Sequence, residues 1–236
     1  MPKARSIAGD CSPDASPRRP LPVITLTLAS GACLAHLVSG AAEWLCYDRE
    51  RLWEVWRVLT CHLVHWNPEH LLWSGGAFVL LGGACEARGR GRFLVCAALS
   101  AVAIPLALRF AAPAMGSYGG LSGIDSALFT MLAAATVLDN HRARRKALAW
   151  GACIALILFL CKLAYEIETG SAVFLSDSPH QRPIPMAHIV GGAAGVVVPL
   201  NDLVRRLLAA YAWKNKGPER TGCQPENREA FELQRN

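Results

Sequence analysis

Charge is scarce in this chain. Asp, Glu, Lys and Arg together make up 18% of its 236 residues, against about 25% in soluble globular domains. With 53% of the residues hydrophobic, the shortage excludes a disordered polyelectrolyte and argues against an ordinary soluble globule. Heptads, internal repeats and low-complexity tracts are also missing, which removes coiled coils and solenoids. The nine cysteines include no CxxC pair and the histidines no HExxH, so neither a zinc-ribbon nor a zincin pattern is present. No metal and no organic cofactor is expected. A net charge of +6 and a pI near 9.0 would suit nucleic acid. A membrane protein, however, needs the same excess of Lys and Arg to orient its loops. With so apolar a composition, the expected partner is the lipid bilayer and not nucleic acid.

Spanning a bilayer takes about 20 mostly apolar residues per helix. Six stretches approach this: Leu21 to Leu45, His70 to Ala87, Phe93 to Phe110, Ser122 to Leu138, Ala147 to Tyr165 and Ile184 to Leu203. The expected fold class is all-α, a polytopic six-helix membrane bundle over residues 21–205. Polar tails precede it (1–20) and follow it (206–236). With the N-terminus in the cytoplasm, the inner segments 1–20, 88–92, 139–146 and 204–236 hold 18 of the 24 Lys and Arg residues. The outer segments hold Arg49, Arg51, Arg57, Arg109 and Arg182 against eight acids. This bias places both termini inside. Arg18 and Arg19 ahead of an apolar run resemble a signal sequence, but the run is longer than a typical h-region and is kept as a span. Cys46 and Cys61 flank the first outer loop. A disulfide would be permitted in an oxidising compartment, and two free thiols is the simpler expectation.

Ionisable side chains inside spans are costly and mark function by default. Here they are His70, Glu86, Asp125, Lys162 and His188, with Ser122 beside them. In the alternating topology His70 opens the second span, Ser122 opens the fourth, and His188 sits about one turn into the sixth. Three sequence-distant polar groups thus reach similar depth on the outer side. Ser122 follows Gly119-Gly120-Leu121 and precedes Gly123, a glycine turn that sets the serine at a helix N-terminus. There, free amides favour a developing negative charge. An ordinary N-cap serine would look the same. His188 carries Gly191 and Gly195 on its own helix face, while Ser126 and Thr130 continue the face of Ser122. Close packing of these small faces would bring hydroxyl and imidazole together. Asp125 is read as structural and Lys162 as snorkelling to the interface. His62, His65 and His70 are read as ordinary hydrogen-bonding histidines.

Taken together, these residues resemble the rhomboid family of intramembrane serine proteases. Trp56-Arg57, Thr60, His65 and His70-Leu71 are similar to the family's first loop and second helix. Gly120-Leu121-Ser122-Gly123 matches its GxSG motif, Ala187-His188 with Gly191 and Gly195 its AHxxGxxxG motif, and Glu86 a family glutamate. The resemblance implies a Ser122–His188 dyad without a third carboxylate, acting through an acyl-enzyme. His70 would support the oxyanion together with the Gly120-Leu121-Ser122 turn. Glu86, Gly191, Gly195, Trp56 and Arg57 would be structural. Where the family commonly has Asn four residues after the His70 equivalent, this chain has Ser74, whose shorter hydroxyl puts that oxyanion contact in doubt. The implied substrate is a membrane-anchored protein with a transmembrane segment, cut at the extracytoplasmic face of a bacterial inner (plasma) membrane. The compact layout also resembles the rhombosortase branch, associated with C-terminal Gly-Gly anchors. The alternatives are a weak or inactive rhomboid-like binding protein and a small transporter; the latter would show an internal repeat.

Overall fold

In the computed structural model, residues 21–140, 145–172 and 184–215 are described. The N-terminal tail 1–20, the basic stretch 141–144, the segment 173–183 with Arg182, and residues 216–236 lie outside them. Nine α-helices are present among the described residues: α1 (Val23–Leu37), α2 (Ala41–Leu45), α3 (Arg57–Thr60), α4 (Pro68–His70), α5 (Gly76–Arg88), α6 (Arg90–Ala111), α7 (Ser122–Asn140), α8 (Lys146–Thr169) and α9 (Pro185–Asn215). Strands β1 (Tyr47–Asp48) and β2 (Ser117–Tyr118) form a two-residue antiparallel pair, Tyr47 opposite Tyr118 and Asp48 opposite Ser117.

This is an all-α membrane bundle. Four helices, α6 to α9, are long and apolar enough to cross a bilayer. Their outward residues are apolar as well: Leu94, Val95, Leu99, Val102 and Leu106 on α6, and Ile154, Ile157 and Leu160 on α8, are all exposed. A helix apolar on its outer face needs lipid, not water, against it.

The remaining two expected spans differ from the sequence reading. The first run does not continue as one helix from Leu21 to Leu45, because α1 stops at Leu37 and Gly40 takes a left-handed φ of 79°. The second is interrupted by a π-helical turn, Leu71–Gly75, between α4 and α5. At the other end of the chain, α9 runs on to Asn215, past the boundary drawn at residue 205.

Glu86 shows why an acid is held near the end of α5. Its carboxylate accepts from the amides of Ile24 (3.3 Å) and Thr25 (2.9 Å) and from the Thr25 hydroxyl (3.0 Å). These amides belong to the first turn of α1, which has no helical acceptors of its own. Arg90 lies 3.4 Å from the same carboxylate.

At the opposite end, the loop from α2 to α4 is organised by Arg57, which is 2% exposed. Its guanidinium donates to Glu54 and, through Nη1, to the carbonyls of Glu43 (2.7 Å) and Cys46 (2.8 Å). Trp56 donates from Nε1 to the carbonyl of Trp44 at 3.3 Å. Trp44, Trp53, Trp56, Trp66 and Trp73 are all exposed on α2, this loop and the π turn that follows α4, the placement expected of an interfacial aromatic belt. Cys46 and Cys61 are both buried and unpaired. Burial pushes the Cys61 thiol up to about 12 and raises Cys46 as well, so neither is a ready nucleophile.

Candidate active site

The β1–β2 pair delivers the chain to a turn that only glycine fits. Gly120 has φ +133°, and a Cβ there would lie 2.9 Å from His70 Cε1. The turn is pinned from several sides. The Gly120 amide donates to the Cys61 carbonyl (3.1 Å), and the Gly120 carbonyl accepts from the Tyr118 hydroxyl (3.2 Å) and meets His62 Nδ1 at 3.3 Å. His62 Nε2 lies 3.0 Å from the Ala101 carbonyl, and burial lowers its proton affinity. Burial, with the His70 ring next to it, pushes His65 down to about 4. His65 is therefore neutral at pH 7 and accepts from the Leu121 amide at 3.5 Å through Nε2. The Gly120 and Leu121 amides, expected among the oxyanion supports, are thus engaged by Cys61 and His65 of the loop before α4. The Ser122 amide begins α7, where no preceding helical carbonyl is available to it. The His70 ring lies against Gly120 and borders the same cavity as Ser122.

Helices α7 and α9 meet through backbone. A Cβ on Gly191 would overlap the Gly123 carbonyl, and one on Gly195 would overlap the Ala127 carbonyl and the Thr130 hydroxyl. Thr130 closes the seam by donating to the Gly192 carbonyl at 2.8 Å. A Cβ on Gly123 would lie 3.1 Å from the Ala187 carbonyl, so the residues after Gly123's neighbour Ser122 and before His188 are already touching. Ser122 and His188 flank this crossing and both line a cavity of about 1140 Å³. Among the described residues no direct hydrogen bond joins them. Catalytic hydrogen bonds are commonly long before substrate arrives.

Three side chains in this cavity differ from the sequence reading. Ser74, expected where the family has an oxyanion-binding Asn, instead donates to Asp125 Oδ2 at 2.9 Å. Its hydroxyl is short and reaches the buried Asp125 carboxyl, which burial leaves in need of a partner. Asp125 is buried, and its Oδ1 has no partner among the described residues. Lys162 does not snorkel outward. Its Nζ lies 2.7 Å from Glu166 Oε1 and 3.4 Å from His188 Nδ1, because Glu166 stands one turn along α8 and needs a counter-charge. Glu166 was missed by sequence reasoning altogether. Its Oε2 sits 2.9 Å from His188 Nδ1, so the expected dyad has a carboxylate behind it. The signal is a Lys162/Glu166 pair at i,i+4, hidden because the apolar run ends at Tyr165 and Glu166 falls just beyond it.

The cavity lies between α8 on one side and the π turn with α5 on the other. Trp73, Ala77 and Leu81 face Leu158, Phe159 and Tyr165 across it. Its walls are mostly apolar, with the polar groups gathered around Ser122 and His188. A family model described as Rhomboid domain matches residues 52–203, from the first loop into α9. No curated protein matches the chain.

Proposed function

The chain belongs to the rhomboid family, and from that premise we propose that it hydrolyses a peptide bond in or next to a substrate's transmembrane segment, with Ser122 as nucleophile and His188 as general base. The family is one of intramembrane serine proteases acting on transmembrane substrates within the bilayer. In the proposed step, Ser122 Oγ attacks the scissile carbonyl while His188 Nε2 takes its proton. The C–N bond then breaks, the imidazolium returns the proton to the leaving amine, and water hydrolyses the ester by the reverse sequence. The developing oxyanion would be met by the Ser122 amide and the His70 ring. A helical substrate hides its carbonyls, so a locally unwound segment is the form that fits this cavity.

The single observation that supports this reading is the shared cavity, with Ser122 next to Gly123 and His188 between Ala187 and Gly191, the two residues of α9 that Gly123 meets. The site stands at the same end of the bundle as the tryptophan-rich loop. With the charge bias of the sequence, this supports an extracytoplasmic active site and cytoplasmic termini. Ser74 is tied to Asp125, which favours a second reading, a slow or inactive enzyme that binds membrane proteins.

The test is cleavage of a reporter with one transmembrane segment by the purified protein in detergent. Wild type is expected to cleave it, and Ser122→Ala and His188→Ala to lose activity by at least about 10³-fold. Wild-type cleavage by either variant overturns the assignment. Binding of the reporter by a wild type that never cleaves it selects the second reading. Preference for a Gly-Gly junction over an Ala-Ala one in the same reporter would assign the rhombosortase branch.

A further inference from the structure

We infer that Glu166 and Lys162, both on α8, form a positioning pair for His188. Glu166 fixes which imidazole nitrogen carries the proton, and Lys162 limits how strongly the carboxylate favours imidazolium. The inference rests on the proposed role of His188 and extends it to two residues outside the dyad.

The geometry leaves few options. An ionised carboxylate only accepts hydrogen bonds. With Glu166 Oε2 at 2.9 Å, His188 Nδ1 must therefore carry hydrogen, which leaves the lone pair of a neutral ring on Nε2. That is the nitrogen a serine base must use. Glu166 is 2% exposed, and such a carboxylate persists as an ion only beside a counter-charge. The Lys162 ammonium supplies it at 2.7 Å on the other oxygen, Oε1. The same ammonium stands 3.4 Å from Nδ1 and so opposes a positive ring. The two oxygens of one carboxylate are thus divided between the imidazole and its antagonist. When the ring takes the Ser122 proton, Glu166 stabilises the imidazolium in place while Nδ1 keeps its own proton. Nothing is transferred to the carboxylate, and the leaving amine later removes the proton from Nε2.

Among the described residues, the other titratable groups lining the cavity with His188 are His70 at the end of α4, Tyr118 on β2, Asp125 on α7, and Cys161 and Tyr165 on α8. Asp125 is engaged by Ser74 and Tyr118 by the Gly120 carbonyl. Among the described residues, only Glu166 and Lys162 hydrogen-bond to the ring.

The test compares wild type with Glu166→Gln, Lys162→Met and Ser122→Ala in the cleavage assay across pH, with kcat and KM separated and folding checked by thermal melting. Glu166→Gln is expected to lower kcat by about 10²–10⁴-fold with KM nearly unchanged. It should also move the acid limb of the surviving activity to lower pH, since imidazolium loses its carboxylate. Lys162→Met is expected to move that limb the other way, to higher pH. Lost packing would not split the two variants in opposite directions. If both leave the limb where wild type has it, or move it the same way, while Ser122→Ala is inactive, the positioning role is wrong and the protease reading stands. If Ser122→Ala cleaves like wild type, the protease reading itself has failed. Should Glu166→Gln not fold, the direction of the Lys162→Met shift decides alone.

Discussion

Helices α7 and α8 are neighbours of similar length and opposite character. Half of the residues in the apolar span of α7 are buried, against 17% of those in α8. α7 meets α9 through carbonyls and glycines with no room for a methyl group. α8 instead turns most of its surface outward and stands across a cavity from α5. The pairing of tight with loose assigns separate tasks. Ser122 and His188 are placed by the tight seam, so their spacing follows from backbone geometry. Glu166 and Lys162, which contact the His188 ring, ride on the least buried of the four membrane-crossing helices. A displacement of α8 would alter access to the cavity and the hydrogen bond at His188 Nδ1 together.

The strongest way to break this contrast is to add bulk to the seam. Gly191→Val would drive its side chain into the Gly123 carbonyl, which belongs to backbone that cannot rotate away. Activity should be abolished and stability should fall by about 1–3 kcal/mol or more, read as loss of reporter cleavage with a lower melting temperature. A wild-type rate would mean that the helices are not in backbone contact. Next in size is the cavity wall. Ser74→Ala leaves buried Asp125 Oδ2 without its donor, and should cost about 1–3 kcal/mol in thermal unfolding. An unchanged melting temperature would show that the Ser74–Asp125 bond contributes nothing. The smallest effect belongs to the outer face of α8. Leu160→Ala is expected to shift stability by no more than about 0.5 kcal/mol and leave cleavage intact, and a large loss would mean that this face is packed against protein.

The parts of this arrangement that repeat along one helix were legible in the sequence. Gly191 and Gly195 follow His188 at helical spacing, and Ser126 and Thr130 follow Ser122. The packing of α7 on α9 could therefore be anticipated from periodicity. The glycine turn before Ser122 was equally plain, because positive φ demands glycine. The pairings between distant segments were not. Nothing in the sequence ties Ser74 to Asp125, whose bond joins the π turn to α7, and the apolar run at 70–87 gave no sign of the π turn itself. Arg57 was readable as a loop residue but not as a buried guanidinium holding three segments. Glu166 was lost to a boundary: an acid one residue past an apolar run looks like a loop charge, although the helix continues to Thr169.

The central claim is that the hydroxyl heading α7 is an activated nucleophile because the imidazole on α9 shares its cavity. The most direct measurement is reaction of the purified protein with a fluorophosphonate, followed by mass-spectrometric identification of the modified residue. A single adduct on Ser122, absent from His188→Ala, is the predicted result. An adduct on a different serine, or equal modification of Ser122 with and without the histidine, would contradict it.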